Sequence, residues 1–327
     1  MPAHERNKTI DLLRFIFSLL VVTIHADLFS DVSAPLYQCF TLGFVRMGVP
    51  FFFIASGYFL MDRVRRGKSS LPGIRRILRL WLLFILLDMA ITGWYFYPDF
   101  PGPFEFLHKA LFTGLSDAYW FLPALAVSQL ILIPVFRRRK TPAAIAAGLV
   151  LYLFVMTHDS YSFLFEGTWI HQLSALHTKA FIWPQAGLAE SIFFLSLGGL
   201  FRDKKDRIAS AAENTGRLLA PAAGLLTALL VLEAYLTQSR GAYDGNCYLT
   251  LILLPAVLFL WALFRDPVRF DTGKPGAASL YIYLVHPIAV SLLRMTGAPS
   301  VLRTLAAVGL SLVISFCIVS RKNRTLS

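Results

Sequence analysis

Ten apolar stretches of roughly membrane-spanning length run along this chain, separated by short polar and mostly basic segments. They cover about residues 10–29, 40–61, 76–97, 119–136, 142–157, 187–202, 217–237, 247–264, 277–295 and 299–319. A soluble domain has no use for so many near-uninterrupted apolar runs, whereas a bilayer core requires them. The pattern predicts an all-α, polytopic integral membrane protein of about ten transmembrane helices, forming one transmembrane domain over 1–327. Composition agrees: mean hydropathy is +0.61 and charged residues make up only 15%, against a usual quarter.

The basic residues orient the spans. With the N-terminus cytoplasmic, 24 of the 31 Lys and Arg fall on inner segments, including Arg63–Lys68, Arg75–Arg79, Arg137–Lys140, Arg202–Arg207 and Arg321–Arg324. Only Arg46, Lys109, Lys179, Arg240, Arg294 and Arg303 fall outside, and Arg14 lies within a span. This is the positive-inside asymmetry, and it places both termini in the cytoplasm of a multi-pass protein of the cell membrane, a bacterial plasma membrane by this reading. The net charge of +12 is thereby matched to anionic membrane lipid, not to nucleic acid. Charge alone does not separate lipid from an anionic cytosolic substrate. The first apolar run is too long and too polar for a signal-peptide core, so no cleavable leader is expected.

The exceptions inside the apolar stretches carry the chemistry. Arg14 and His25 share the first span, and an ionisable group at membrane depth costs roughly 2.5–3.5 kcal/mol, so function is the default reading. Eleven positions at about 100° each come within about 20° of three full turns, which puts both side chains on one face about 16 Å apart. A histidine of ordinary pKa, about 6.5, can accept a proton from a hydroxyl. Asp11, three residues before Arg14, is placed to orient it.

On the second span, Pro50 and Gly57 interrupt the helical pattern of Gly48-Val-Pro-Phe-Phe-Phe-Ile-Ala-Ser56-Gly57-Tyr58, and Ala55, Ser56 and Gly57 permit close approach of a neighbour. Asp88 lies mid-span in the third helix, one face with Arg79, and needs a partner. His286, followed by Pro287, sits in the ninth span, and Glu190, Glu233 and Gln129 add polar groups to the interior.

Between spans, Arg75, Arg76 and Arg79 follow the Pro72-Gly73 break on adjacent turns. They fit either an inner-face anchor or a clamp for phosphates. The outer loop 158–186, the longest, contains His158, His171 and His177, and a second outer loop covers 98–118. No two of these histidines have the spacing of a helical metal pair, so no metal is expected. Cys39, Cys247 and Cys317 give neither a disulfide framework nor a metal motif, and Cys39 and Cys247 both fall near the outer face.

Taken together, Ile10-Asp11-Leu-Leu-Arg14 with His25, the Pro50–Tyr58 segment, Arg75-Arg76-Ile-Leu-Arg79, Tyr119-Trp120-Phe-Leu-Pro and Tyr281-Ile-Tyr-Leu-Val-His286-Pro287 resemble acyltransferase family 3 along nearly the whole chain. The likeness extends to the membrane half of the vancomycin-resistance serine racemases, with no segment matching their soluble racemase domain. The resemblance implies an integral-membrane O-acyltransferase. It takes an acyl group, usually acetyl, from cytoplasmic acyl-CoA and places it on a hydroxyl of an extracytoplasmic acceptor such as a cell-surface glycan. Within that reading His25, Arg14 and Asp11 are catalytic. Arg75, Arg76 and Arg79 bind the donor, and Ser56, Tyr58, Asp88, Trp120 and His286 belong to the site. A separate soluble partner protein is a further expectation. The rival reading is a carrier of L-serine, as the racemase membrane halves are thought to be.

Overall fold

The computed structural model describes residues 7–96, 102–113, 118–186, 188–265 and 268–324, and they form helices joined by turns, with no strand among them. The α-helices are α1 (Lys8–His25), α2 (Ala34–Leu36), α3 (Gly48–Arg65), α4 (Leu71–Phe96), α5 (Pro103–Phe112), α6 (Phe121–Arg137), α7 (Thr141–Met156), α8 (Ser162–Phe165), α9 (Trp169–Phe181), α10 (Ser191–Asp203), α11 (Lys205–Thr215), α12 (Leu219–Gln238), α13 (Leu254–Arg265), α14 (Gly273–Arg294) and α15 (Ser300–Arg324). Each of the ten apolar stretches overlaps an α-helix of twelve or more residues. Among the described residues, four segments are long and apolar enough to cross a membrane: Ala34–Arg65, Gly216–Gln238, Gly273–Arg294 and Ser300–Lys322. Several others are shorter, as in α6, α7 and α13. In α1, Lys8, Asp11 and Arg14 put three charges into 18 residues.

Two expectations are corrected. Neither Pro50 nor Gly57 interrupts the helix: Gly57 lies in mid α3, and Pro50 stands in its first turn, where a missing N–H has no intrahelical acceptor to serve. Within the helical segment Ala34–Arg65, the part before Pro50 winds as a π segment (Tyr37–Thr41) and a 3-10 segment (Phe44–Met47). The stretch 158–186 is not an open loop, because α8 and α9 occupy much of it, with Thr168 capping α9 through the His171 N–H. The second stretch likewise holds α5, and 97–101 and 114–117 lie outside the described residues.

The core centres on α3 and α10, which cross at glycines. A Cβ on Gly57 would lie 1.9 Å from the Leu195 carbonyl oxygen, and one on Gly198 would lie 1.9 Å from that of Ile54. The two backbones therefore touch, as membrane helix pairs with small interface residues do. Gly148 does the same for α7, whose backbone meets Phe193 of α10. A second cluster joins α1, α14 and α15 through Val22, Ala26, Ala278, Ile282 and Ala307.

Polar contacts sort the helix ends. Asn7 donates to the Ala262 carbonyl, Lys8 to that of Arg269, and Arg202 bonds Asp62, which gathers the basic segments at one pole. Arg294 and Arg303 reach the far end of α1 at the opposite pole. Between the poles large apolar side chains face outward, among them Leu225 (63% exposed), Val313 (64%) and Leu305 (66%). Apolar surface of that extent marks a contact with something other than water.

Candidate active site

The site is built where α1 and α14 pack together. Asn7 caps α1 by accepting the Ile10 N–H at 2.7 Å. One turn on, buried Asp11 stands 3.7 Å from the Arg14 guanidinium, the pair expected from their spacing. Gly276 of α14 makes room for it: a Cβ there would lie 2.8 Å from the Asp11 carboxyl carbon.

His25 is the last residue of α1, and its ring meets that of fully buried His286, centroids 5.1 Å apart. His286 Nδ1 is 3.2 Å from the Ile282 carbonyl, which can only accept. The proton therefore sits on Nδ1, and Nε2, which has no hydrogen-bond partner, presents a lone pair. Pro287 lies inside α14 and removes one helical N–H beside this ring. Tyr119 Oη completes the local frame by donating to the Leu284 carbonyl at 3.0 Å.

Two cavities adjoin these helices. One, of about 330 Å³, is lined by His25, Arg46, Trp120, Trp183, Glu190 and Asn246 among others. The second, of about 280 Å³, is lined by Arg14, Ser56, Arg63, Gln129 and Ser279 with apolar walls from Phe52, Leu60, Ile77 and Leu125. Arg14 and His25 share a helix yet open into different cavities. Arg75, Arg76 and Arg79 are exposed and line a surface hollow of about 400 Å³ with Pro72, Leu80 and Leu83.

Of the remaining candidates, Trp120 lines the His25 cavity and Ser56 the Arg14 cavity. Tyr58 lines neither. It is buried against Phe259 (5.5 Å) with the Arg202 guanidinium 6.0 Å from its ring centre. Asp88 is fully buried on α4 and accepts a 2.7 Å hydrogen bond from Thr92 Oγ1. Glu233 caps a chain turn, accepting from the Leu249 and Thr250 N–H groups and from Tyr161.

Several residues of the His25 cavity carried no motif. Arg46 bonds the Asn246 amide oxygen and pairs with no carboxylate among the described residues. Asn246 and Cys247 in turn donate their backbone N–H groups to Asp159 Oδ2, at 3.0 and 2.5 Å, and Ser160 Oγ donates to the same oxygen. Asp159 is buried, which pushes its pKa up to about 6 despite those donors, and Asp244 pushes the same way. Arg294 pairs with Asp27 at 2.7 Å and donates to the His25 carbonyl, while Arg303 holds the Ala26 carbonyl. Arg46, Arg294 and Arg303 are among the six basic residues that the charge pattern of the sequence sets apart from the rest, and that is their signal.

His158 and His171 come together at 3.3 Å, with His171 Nδ1 on the Thr157 carbonyl, while His177 packs apart against Phe181. Among the described residues no group of three or more His, Cys, Asp or Glu could hold a metal ion. Cys39, Cys247 and Cys317 are free thiols.

With this geometry in place, the comparison with known proteins is decisive about kinship. The acyltransferase-domain profile of acyltransferase family 3 matches residues 7–320. The chain belongs to acyltransferase family 3. It is 28% identical over 307 residues to a serine/alanine racemase of Enterococcus gallinarum, and 24% identical over 296 residues to an amino-acid racemase of Enterococcus faecalis. Each match covers 88% of this chain but 41% of the relative, so this acyltransferase-3 chain spans about two fifths of the curated relatives' length. No solved structure matches it.

Proposed function

We propose that the chain is a multi-pass protein of the bacterial cell membrane, with about ten spans and both termini cytoplasmic. In this reading it is an O-acyltransferase moving an acyl group, acetyl in the first instance, from cytoplasmic acyl-CoA to a hydroxyl of an extracytoplasmic acceptor such as a cell-surface glycan. The observation that carries the reading is His25 at the wall of a polar cavity with His286 buried against its ring, and Arg14 in a separate, largely apolar cavity. The outward apolar side chains support membrane insertion, and the grouping of basic segments at one pole supports the orientation.

The chemistry follows from these positions. His25 takes the proton of the acceptor hydroxyl as its oxygen attacks the thioester carbonyl. The C–S bond breaks, and the departing CoA thiolate receives a proton as the ester forms. Arg14, oriented by Asp11, faces the donor side, where it can stabilise the developing oxyanion or hold the thioester end. Arg75, Arg76 and Arg79 hold the CoA phosphates. Trp120, Trp183 and Tyr37 give the acceptor cavity aromatic walls beside its polar groups. A soluble partner protein would be needed only to carry the acyl group onward.

The test uses purified protein in sealed liposomes with radiolabelled acetyl-CoA enclosed. The proposal requires label on an external hydroxyl acceptor, dependent on the enclosed donor. Serine uptake with no acyl-CoA dependence would overturn it in favour of the carrier reading raised by the racemase relatives.

A further inference from the structure

The two cavities have two residues in common, Phe121 and Tyr283, and share no others. Phe121 opens α6 and Tyr283 lies one turn before His286 on α14. Their rings meet edge to face, centroids 5.5 Å apart at 68°. Phe121 also rests on Phe53, at 4.6 Å. Tyr283 Oη donates to the Ala118 carbonyl at 2.7 Å, and its ring lies 5.6 Å from that of His286. The rings of these two residues thus stand between the Arg14 cavity and the His25 cavity. The Ala118 bond, a second hydrogen bond from the Phe121 backbone N–H to the Tyr283 hydroxyl, and ring packing hold them, with no charged group in the set.

A nucleophile and a carbonyl carbon must approach to about 3–3.5 Å before they react. With donor and acceptor in opposite cavities, that approach requires passage between the two rings. The donor-side walls of Phe52, Leu60, Ile77, Leu122 and Leu125 suit an apolar acyl chain, whereas the other side offers Arg46, Glu190 and Asn246. We infer that Phe121 and Tyr283 form a movable partition through which the acyl end of the donor reaches His25, and that the gap these rings open sets the acyl length transferred. This rests on the acyl-transfer reading above. Because Tyr283 packs on His286, opening the partition also repositions the ring beside His25.

Thiol labelling tests the partition independently of the reaction. In a background carrying Cys39→Ser, Cys247→Ala and Cys317→Ser, one reporter is Val49→Cys on the His25 side and the other is Ser279→Cys on the Arg14 side. A membrane-impermeant methanethiosulfonate is applied to sealed vesicles from the His25 side. The Val49→Cys reporter reacts, the Ser279→Cys reporter does not, and adding Phe121→Ala makes the second react. Tyr283→Phe, which keeps the ring and deletes the hydroxyl's bonds to the Ala118 carbonyl and the Phe121 backbone, gives an intermediate rate. Equal labelling of both reporters without Phe121→Ala, or no gain with either variant, overturns the partition.

Acyl length is then read with acetyl-, butyryl- and hexanoyl-CoA. Phe121→Ala raises the hexanoyl-to-acetyl transfer ratio by about tenfold, the lower end of what one methylene decides in an apolar pocket. An unchanged ratio overturns the specificity role even where labelling behaves as stated. Absence of transfer by the wild type at every length would count against the acyl-transfer reading and leave the labelling result standing.

Discussion

Replacing Asp159 by Asn should remove a pH dependence of stability that the structure builds in. The carboxylate is buried, faces Asp244, and is held by the Asn246 and Cys247 N–H groups and the Ser160 hydroxyl. Burial outweighs these donors and moves its pKa from 3.8 to about 6. At 1.36 kcal/mol per pH unit, that difference comes to about 3 kcal/mol. The folded state binds the proton more tightly than the unfolded chain. The stabilisation is therefore fully present below pH 3.8, and it is lost as pH rises through about 6. An asparagine keeps the size and an acceptor oxygen but cannot ionise. Chemical unfolding of detergent-purified wild type and Asp159→Asn is measured from pH 3.5 to pH 7. Against the variant, the wild type should lose about 3 kcal/mol, most of it between pH 4 and 6. Parallel pH curves for the two proteins would refute the reasoning.

Three further outcomes follow from other parts of the molecule. Gly198→Ala puts a methyl 1.9 Å from the Ile54 oxygen, so α3 and α10 must separate. It should destabilise by about 3 kcal/mol or more, while Gly224→Ala, with nothing within 4 Å, stays within about 1 kcal/mol of wild type in the same melts. Replacing Arg75, Arg76 and Arg79 together by Gln should raise the KM for acyl-CoA at least about tenfold, with kcat little changed and the salt dependence of KM flattened, as steady-state kinetics at two ionic strengths would show. Gly276→Ala forces Asp11 away from its present position beside Arg14 and should lower transfer without loss of folded protein, measured by activity alongside size-exclusion profiles.

Much of this architecture is legible from hydropathy, because each apolar stretch that must leave water becomes a helix and the Asp11–Arg14 pair follows from a three-residue spacing. Pro50 was misread because a proline looks the same in sequence whether it breaks a helix or begins one, and only the preceding π and 3-10 turns distinguish the two. The 158–186 segment reads as a loop because α9 is amphipathic and short, with polar His171 and Gln172 among its apolar positions. For the site, the shared helical face of Arg14 and His25 said nothing of Phe121 and Tyr283, which arrive from α6 and α14 and divide the space between them. Asn246, Trp183 and Gln185 come from turns, where no periodicity marks a side chain as facing a cavity. The contact of His25 with His286 joins residues 261 apart in sequence, and only the α1–α14 packing makes it.

The central claim is that His25 acts as the base for an acceptor hydroxyl. It is tested most directly by comparing wild type and His25→Ala in liposomes loaded with labelled acetyl-CoA, with equal amounts of folded protein. The account predicts a fall in label on the external acceptor of about 10²-fold or more, the usual loss on removing a general base. Transfer by His25→Ala at close to the wild-type rate would contradict it.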